Sequence, residues 1–244
     1  MPRPLTLLRF HIYSLWNWRS YYIIKFVEPI TFYLFLVTGV AGIQPLPLAE
    51  YVFFATAGMM AFLAFRCGIS AVTDVANDRK WGVFAIYLMQ KGSKAGYVVS
   101  IIIYYTLMYT VQALSIWILS ALIFPQVLSI PAFLGLYGSG YLVLLGWVGI
   151  AVAGGGRINS YPVRDSITSL TSLPMVLSAP LFYSLDSAHP AVVRISQVNP
   201  LTYLVELIRQ QTVSSVLWLA LWSVAGIGLG LVLLTKASHI THER

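Results

Sequence analysis

Few side chains in this 244-residue chain combine the type and spacing that enzyme chemistry needs. Cys67 is the one cysteine; it could act as a thiol nucleophile, but its apolar neighbours favour a packing role, and one cysteine excludes an intrachain disulfide. His239 and His242 have the H-x-x-H spacing of a metal-ligand pair beside Glu243, yet they belong to a polar terminal segment. The sequence therefore predicts neither a catalytic thiol nor a metal site.

Two glycine-containing motifs could hold a phosphate group or a serine nucleophile. The run Ala153 to Arg157 is followed by Ile158 and Asn159, not by Lys-Ser or Lys-Thr, so it predicts a helix end and not an ATP-binding loop. The run Tyr137 to Tyr141 lacks the G-x-S-G order of an intramembrane protease. Glu28 is the one acidic residue well placed at an apolar run. We therefore expect a chain that is not itself an enzyme.

The composition indicates that these residues belong to a chain embedded in a membrane. Hydrophobic residues make up 58% of the chain, charged residues only 9%, and the mean hydropathy is +0.79, whereas about a quarter of the residues of a soluble protein are charged. Runs of about 20 apolar residues, each able to cross a ~30 Å hydrocarbon core, fill most of the length. We predict an all-α polytopic membrane protein, a single domain over residues 1–244. The six predicted spans are Phe26 to Ile43, Tyr51 to Thr73, Gly96 to Phe124, Ala132 to Gly155, Ser166 to Leu185 and Val213 to Thr235.

Basic residues predict the orientation of these spans. Residues 1–25 mix Arg and Lys with Trp and Tyr, which is typical of a helix lying in the membrane interface. With both termini cytoplasmic, all the Lys and Arg residues except Arg194 and Arg209 lie at the inner side, as expected for a multi-pass protein of the inner or plasma membrane. The net charge of +7 is thus a topology signal, and we do not expect nucleic acid as a partner.

Two further segments carry polar or helix-breaking residues. The inner loop at residues 74–95 contains apolar residues from Val83 onward that predict a short interfacial helix, although a plain charged connector is the alternative. The fifth span contains Pro174 and Pro180, each of which interrupts a helix. Such breaks are tolerated where the span lines a water-filled path or where neighbouring helices fit the bend, and both remain open.

The run from Leu173 to Arg209 resembles the C-terminal signature of ABC type-2 permeases, the membrane subunits of ATP-driven exporters. In that family a proline-containing fifth span precedes a short outer segment, then Asn-Pro-Leu-Thr-Tyr, then an acidic and a basic residue about a turn apart. The matching positions are Pro174, Pro190, Asn199, Pro200, Leu201, Thr202, Tyr203, Glu206 and Arg209.

This resemblance implies that the loop at residues 74–95 carries a coupling helix that docks on an ATPase subunit. The chain keeps the family's Asp78, Arg79 and Gly82 but has Lys80 where an acid is common and Ala85 where a Glu is expected. The resemblance also implies two copies of a separate ATPase, which bind the ATP and Mg²⁺, and a homodimer or a heterodimer with a sister permease. The implied coupling residues are Asp78, Arg79, Lys80, Trp81, Gly82, Phe84 and Tyr87.

The implied function is export of an amphipathic or hydrophobic compound through a membrane path lined by these helices and surrounded by membrane lipids. Two alternatives belong to other classes. A secondary carrier would place ion ligands near the membrane midplane, and a membrane-embedded lipid-modifying enzyme would need an acidic or His cluster at one membrane face.

The segment at residues 186–212 predicts short outer re-entrant helices. Asn199 is suited to cap a helix that begins at Pro200, and Val198 could pack on Tyr203. A helix of about ten residues reaches only ~15 Å, half a membrane. We expect an outer gate there, although a plain connector into the last span is the alternative. The expected gate residues are Asn199, Pro200, Thr202, Tyr203, Glu206 and Arg209.

Overall fold

The computed structural model of the chain describes residues 3–40, 46–125, 127–158, 160–183, 185, 188–210 and 213–235, with the backbone alone at positions 21, 209, 210 and 213. All regular structure in these ranges is helical, which confirms the predicted all-α class. The helices are α1 (Arg3–Asn17), α2 (Arg19–Leu34) with a π-helical continuation (Phe35–Val40), α3 (Leu48–Lys80), α4 (Val83–Met89), α5 (Lys94–Ile123), α6 (Ile130–Gly155), α7 (Tyr161–Ser178), α8 (Pro190–Ser196), α9 (Pro200–Gln210) and α10 (Val213–Thr235).

Five helical segments of the described chain are long and apolar enough to cross a membrane: Tyr22–Val40, α3, α5, α6 and Ser214–Thr235. The sequence predicted a sixth, Ser166 to Leu185. The helix found there, α7, begins earlier and ends at Ser178. Ala179 precedes Pro180 and is extended, because the proline ring disfavours helical geometry in the residue before it. The predicted span is therefore a shorter, more polar helix followed by irregular chain.

Two other boundaries differ from the prediction. The N-terminal interfacial helix stops at Asn17, and residues from Arg19 onward already belong to α2. The second span does not stop at Thr73 but continues as α3 to Lys80, for 33 residues in all. The first seven residues of the predicted inner loop are therefore helical, and α3 is about 50 Å long at 1.5 Å per residue.

The centre of the bundle is formed by α3, α6 and α10, with α6 packed between the other two. Glycines let α6 and α10 approach closely: a Cβ added at Gly149 would lie 2.2 Å from the backbone of Gly226, and one at Gly230 would lie 2.6 Å from the Gly149 carbonyl oxygen. The G-x-x-x-G at Gly226 and Gly230 thus serves packing within the chain.

The bundle has two ends, which we name by their short helices. The α4 end contains α1, α4, the last turns of α3, α6 and α10, and the first turn of α5. At this end Lys94 Nζ of α5 donates to the Thr235 carbonyl of α10 at 2.8 Å. At the α9 end, α9 lies beside the first turns of α3 and α6. Both α3 and α6 reach from one end to the other and so link the two ends.

Candidate functional site

The short helix α4 has one buried and one exposed side. Phe84 is fully buried, and its ring meets the ring of Tyr97 on α5 edge-on, with centroids 4.8 Å apart. Tyr87 is also buried and contacts the same Tyr97 ring. On the opposite side, Ile86 and Met89 are 55% and 83% exposed. This pattern holds α4 rigidly on the bundle while presenting an apolar surface outward.

The predicted coupling residues divide between these two sides. Asp78, Arg79, Phe84 and Tyr87 are buried within the chain, and the ring contacts of Phe84 and Tyr87 with Tyr97 hold α4 against α5. Trp81 is 55% exposed and lies at the turn before α4, whereas Ile86 and Met89, which the sequence did not single out, are exposed on α4 itself. We name Trp81, Ile86 and Met89 the α4 outer surface. Only the alternation of burial along a seven-residue helix reveals it, and such a helix is too short for a clear periodic signal in sequence.

Glycine is required at the turn between α3 and α4. Gly82 has φ of +77°, in the left-handed region that residues with a Cβ rarely adopt. The turn lies next to the first turn of α7: Trp81 Nε1 donates to the Tyr161 hydroxyl at 3.1 Å, and the Lys80 ammonium lies 3.7 Å from the centre of the Tyr161 ring. One turn further along α7, Arg164 Nη1 donates to the Asn77 side chain at 3.0 Å. The start of α7 is thus fastened to the corner between α3 and α4.

A buried polar cluster joins α1 and α5 to the end of α3. His11 Nε2 of α1 lies 3.2 Å from Asp78 Oδ2, and both residues are about 95% buried. The ring N–H does not point along this line, so the contact is an ion pair and not an aligned hydrogen bond. The Tyr97 hydroxyl donates to the same Asp78 oxygen at 2.7 Å, and the Tyr105 hydroxyl donates to Asp74 Oδ2 at 2.6 Å. We name His11, Asp74, Asp78, Tyr97 and Tyr105 the α1 clamp.

The electrostatics of the α1 clamp favour a charged histidine. Burial lowers the pKa of His11, but the contact with Asp78 and the negative charge of Asp74 outweigh burial and raise the pKa above its ordinary value. A cavity of about 170 Å³ beside His11 and the two carboxylates is smaller than the roughly 300–1,000 Å³ of typical ligand sites. With its carboxylate oxygens already accepting hydrogen bonds, the cluster is suited to fastening helices.

Sequence reasoning missed the α1 clamp. Its two carboxylates lie in residues 74–80, which the sequence pattern assigns to a loop and which are the last turns of α3. The partners of the carboxylates come from α1 and α5, far away along the chain. A histidine in an otherwise apolar and basic interfacial segment was the one signal that could have indicated it.

A second polar contact lies along the seam between α2 and α3. Arg66 Nη2 donates to Glu28 Oε2 across this seam. One turn nearer the α9 end, Phe32 of α2 meets Phe62 of α3 with ring centroids 6.1 Å apart, and Phe32 also meets Phe182 edge-on at 5.5 Å. The seam therefore presents an ion pair followed by an aromatic shelf made of Phe32, Phe62 and Phe182.

At the α9 end, Asn199 joins the end of α7 to the start of α9. Its Oδ1 accepts from the Leu201 backbone N–H at 2.9 Å, which is the predicted capping contact. Its Nδ2 donates to the Met175 carbonyl at 2.7 Å and to Ser178 Oγ at 3.0 Å. The Met175 carbonyl is available because α7 ends at Ser178 and offers it no later helical N–H. Pro180 thus acts by ending α7, whereas Pro174 lies inside the helix.

The other expected gate residues lie on α9 or at its first position. Pro200 and Thr202 are buried, and the Tyr203 ring stacks on Trp218 of α10 with centroids 5.5 Å apart. Val198 is 79% exposed, so the predicted packing of Val198 on Tyr203 is wrong. Partial burial raises the pKa of Glu206. The Arg209 side chain and the residues at 186, 187, 211 and 212 lie outside the described residues, so the Glu206–Arg209 pair stays a prediction.

The comparisons with known proteins give one family. A family model described as ABC-2 type transporter matches residues 5–213, which run from the first turn of α1 to the first residue of α10. No curated protein matches the chain. The match spans both the α4 outer surface and the gate residues at the α9 end, and it confirms the family that the sequence motifs indicated.

Proposed function

Because the chain belongs to the ABC-2 type transporter family, we propose that it is the transmembrane subunit of an exporter driven by a separate ATPase subunit. Membership of this family identifies the chain as the permease component of a membrane transporter. The observation that best supports coupling to a separate ATPase is that α4 is buried on one side and exposed on the other. A helix held by Phe84 and Tyr87 that turns Ile86 and Met89 outward has the form of a docking element.

The contacts at the α4 end offer a route for movement from α4 into the membrane. A push on α4 acts on α5 through the Phe84–Tyr97 ring contact, on α1 through the α1 clamp, and on α7 through Tyr161. It also acts directly on α3, which reaches the α9 end. Packed helices transmit such displacements because the interfaces between them are close-packed. In this proposal, closure of the ATPases rocks α3 and α7 together and opens the α9 end.

We assign the membrane path to the surface formed by α2, α3 and α7. Polar Ser166 and Ser169 are exposed along α7, and polar side chains at membrane depth are tolerated where they face protein or water. The Glu28–Arg66 pair and the aromatic shelf lie on the neighbouring seam. This surface suits an amphipathic compound, and it would be closed by a second copy of the chain or by a sister permease.

The proposed orientation places the α4 end in the cytoplasm, where ATP is available. It is supported by the basic residues at that end, including Lys80, Lys91, Lys94 and Arg157, since positive charge is retained on the cytoplasmic side. The membrane is then the inner or plasma membrane. The α9 end, with its Asn199-capped helix, faces outward as the exit.

A reconstitution experiment tests the proposal. The chain is co-expressed with a candidate ATPase subunit, purified and placed in proteoliposomes, and ATP turnover is compared with that of the ATPase alone. We expect a stable complex whose turnover changes several-fold on assembly, and loss of that change when Ile86→Glu and Met89→Glu are combined. The matched control is Val224→Glu on α10, which is 71% exposed but distant from α4.

Two results would count against the proposal. One is failure to form a complex with any ATP-binding cassette subunit although the permease is folded, as judged by a single symmetrical elution peak. The other is unchanged turnover in the α4 double variant together with loss in the Val224 control. Either result would remove α4 as the coupling element.

A further inference from the structure

An open apolar cavity of about 470 Å³ lies between α3, α6 and α7. Its volume is within the roughly 300–1,000 Å³ typical of small-molecule sites. It exists because α7 packs on α3 but makes little close contact with α6 in the described chain. The walls are almost wholly apolar, and the main wall residues are Ile69, Val72, Ile150, Val163 and Ile167.

One end of this cavity is basic. Arg157 and Ser160 line it where the chain leaves α6 and enters α7, which is at the α4 end of the bundle. Among the described lining residues there is no acidic side chain to neutralise Arg157. A guanidinium pairs best with a carboxylate or phosphate, because its planar donors match two anionic oxygens. The chemistry therefore calls for a ligand with a long apolar part and an anionic head.

The length of the cavity fits one leaflet of a bilayer. Its α7 wall runs from Val163 to Thr171, a rise of about 12 Å at 1.5 Å per residue. This is slightly less than half of a ~30 Å hydrocarbon core. The hydrocarbon core of a bilayer offers no water to an open apolar cavity, so the available occupant there is a hydrocarbon chain.

We propose that this cavity binds one acyl chain of an anionic phospholipid from the leaflet at the α4 end, with the phosphate on Arg157. Bilayer lipid is favoured over transported cargo because the cavity lies within a single chain, between α6 and α7, and away from the Glu28–Arg66 seam. The bound chain acts as a wedge that keeps α7 apart from α6. This site requires no ATPase and does not depend on the proposed transport function.

The test measures retained lipid directly. The full chain is placed in nanodiscs of equal phosphatidylglycerol and phosphatidylcholine, released into mild detergent, and examined by native mass spectrometry. Gly154→Leu should fill the cavity, because a Cβ added at Gly154 meets nothing within 4 Å. Gly228→Leu on α10 is the matched control, since a Cβ there also meets nothing within 4 Å and the position does not line the cavity.

We expect one tightly held phosphatidylglycerol per chain in the unmodified protein and in Gly228→Leu. Retention should fall about tenfold in Gly154→Leu and in Arg157→Ala, and Arg157→Lys should restore much of the Arg157→Ala loss. Equal retention of the two lipids, or unchanged retention in Gly154→Leu, would overturn the proposal. A change in dimer fraction with no change in lipid would instead assign the cavity to a second copy of the chain, and would equally overturn it.

Discussion

Replacing His11 with asparagine tests the electrostatic part of the α1 clamp. The buried ion pair with Asp78 exists only while His11 is protonated, and the pKa of His11 is raised above its ordinary value of about 6.5. Breaking a buried ion pair by removing one partner costs about 3–5 kcal/mol, because the other charge is left buried and unpaired. The pair therefore stabilises the protein fully below pH of about 6.5, and its contribution is lost as the pH rises through the raised pKa.

The assay is thermal unfolding of the detergent-solubilised chain at a series of pH values from 5.5 to 9. One kcal/mol shifts the midpoint by about 2–4 °C in a chain of this size, so the melting temperature of the unmodified protein should exceed that of His11→Asn by roughly 6–20 °C at the acidic end. This difference should shrink as the pH rises. The control is His189→Asn, which keeps a capping acceptor for the Ala191 N–H at the start of α8 and should show no such trend.

The reasoning would be refuted by a His11→Asn difference that stays constant with pH or grows toward alkaline pH. A constant difference would mean that the ring contributes by packing alone, for example against Tyr104, whose ring centroid lies 5.3 Å from that of His11. A growing difference would mean that the neutral ring is the stabilising form, contrary to the charge arrangement at Asp78 and Asp74.

Three further predictions follow from burial and close packing. Phe84→Ala should lower the free energy of unfolding by about 3–5 kcal/mol, because Phe84 is fully buried. Met89→Ala should change it by less than about 0.5 kcal/mol and weaken only partner binding, because Met89 is exposed. Chemical denaturation measures both changes in stability. Gly149→Ala should cost about 1–3 kcal/mol because its Cβ would meet the α10 backbone, whereas Gly228→Ala should be neutral or stabilising by up to about 1 kcal/mol in the same measurement. Asn199→Ala should cost about 1–3 kcal/mol and speed hydrogen exchange at the start of α9; unchanged exchange there would contradict its joining role.

Local features of the fold could be predicted from sequence because their causes lie within a few residues. The last span was predicted with the bounds that α10 has, and the Asn199 cap and the end of α6 near Gly155 also follow from adjacent residues. The end of α7 is an exception: Pro180 stops the helix through its effect on Ala179, but the predicted span ran past this proline to Leu185. Apolar length and local breakers were sufficient for the other elements.

Features that depend on distant partners could not be predicted. Asp74 and Asp78 looked like loop residues because carboxylates are costly to bury unless they are paired, and their partners lie on α1 and α5. For the same reason the pair between Arg66 and Glu28 could not be predicted, because the two residues lie 38 positions apart on different helices. The separation of α4 into buried and exposed sides likewise depends on the position of Tyr97, which the sequence of α4 does not contain.

Site-specific photo-crosslinking tests most directly whether the α4 outer surface meets an ATPase. A photoreactive amino acid replaces Ile86 in one variant and Val224 in another, both exposed apolar positions. After irradiation of intact cells, the crosslinked partners are identified by mass spectrometry. The account predicts that an ATP-binding cassette subunit crosslinks at position 86 and not at position 224. Crosslinks to lipid alone at position 86, in cells that express the ATPase, would contradict it.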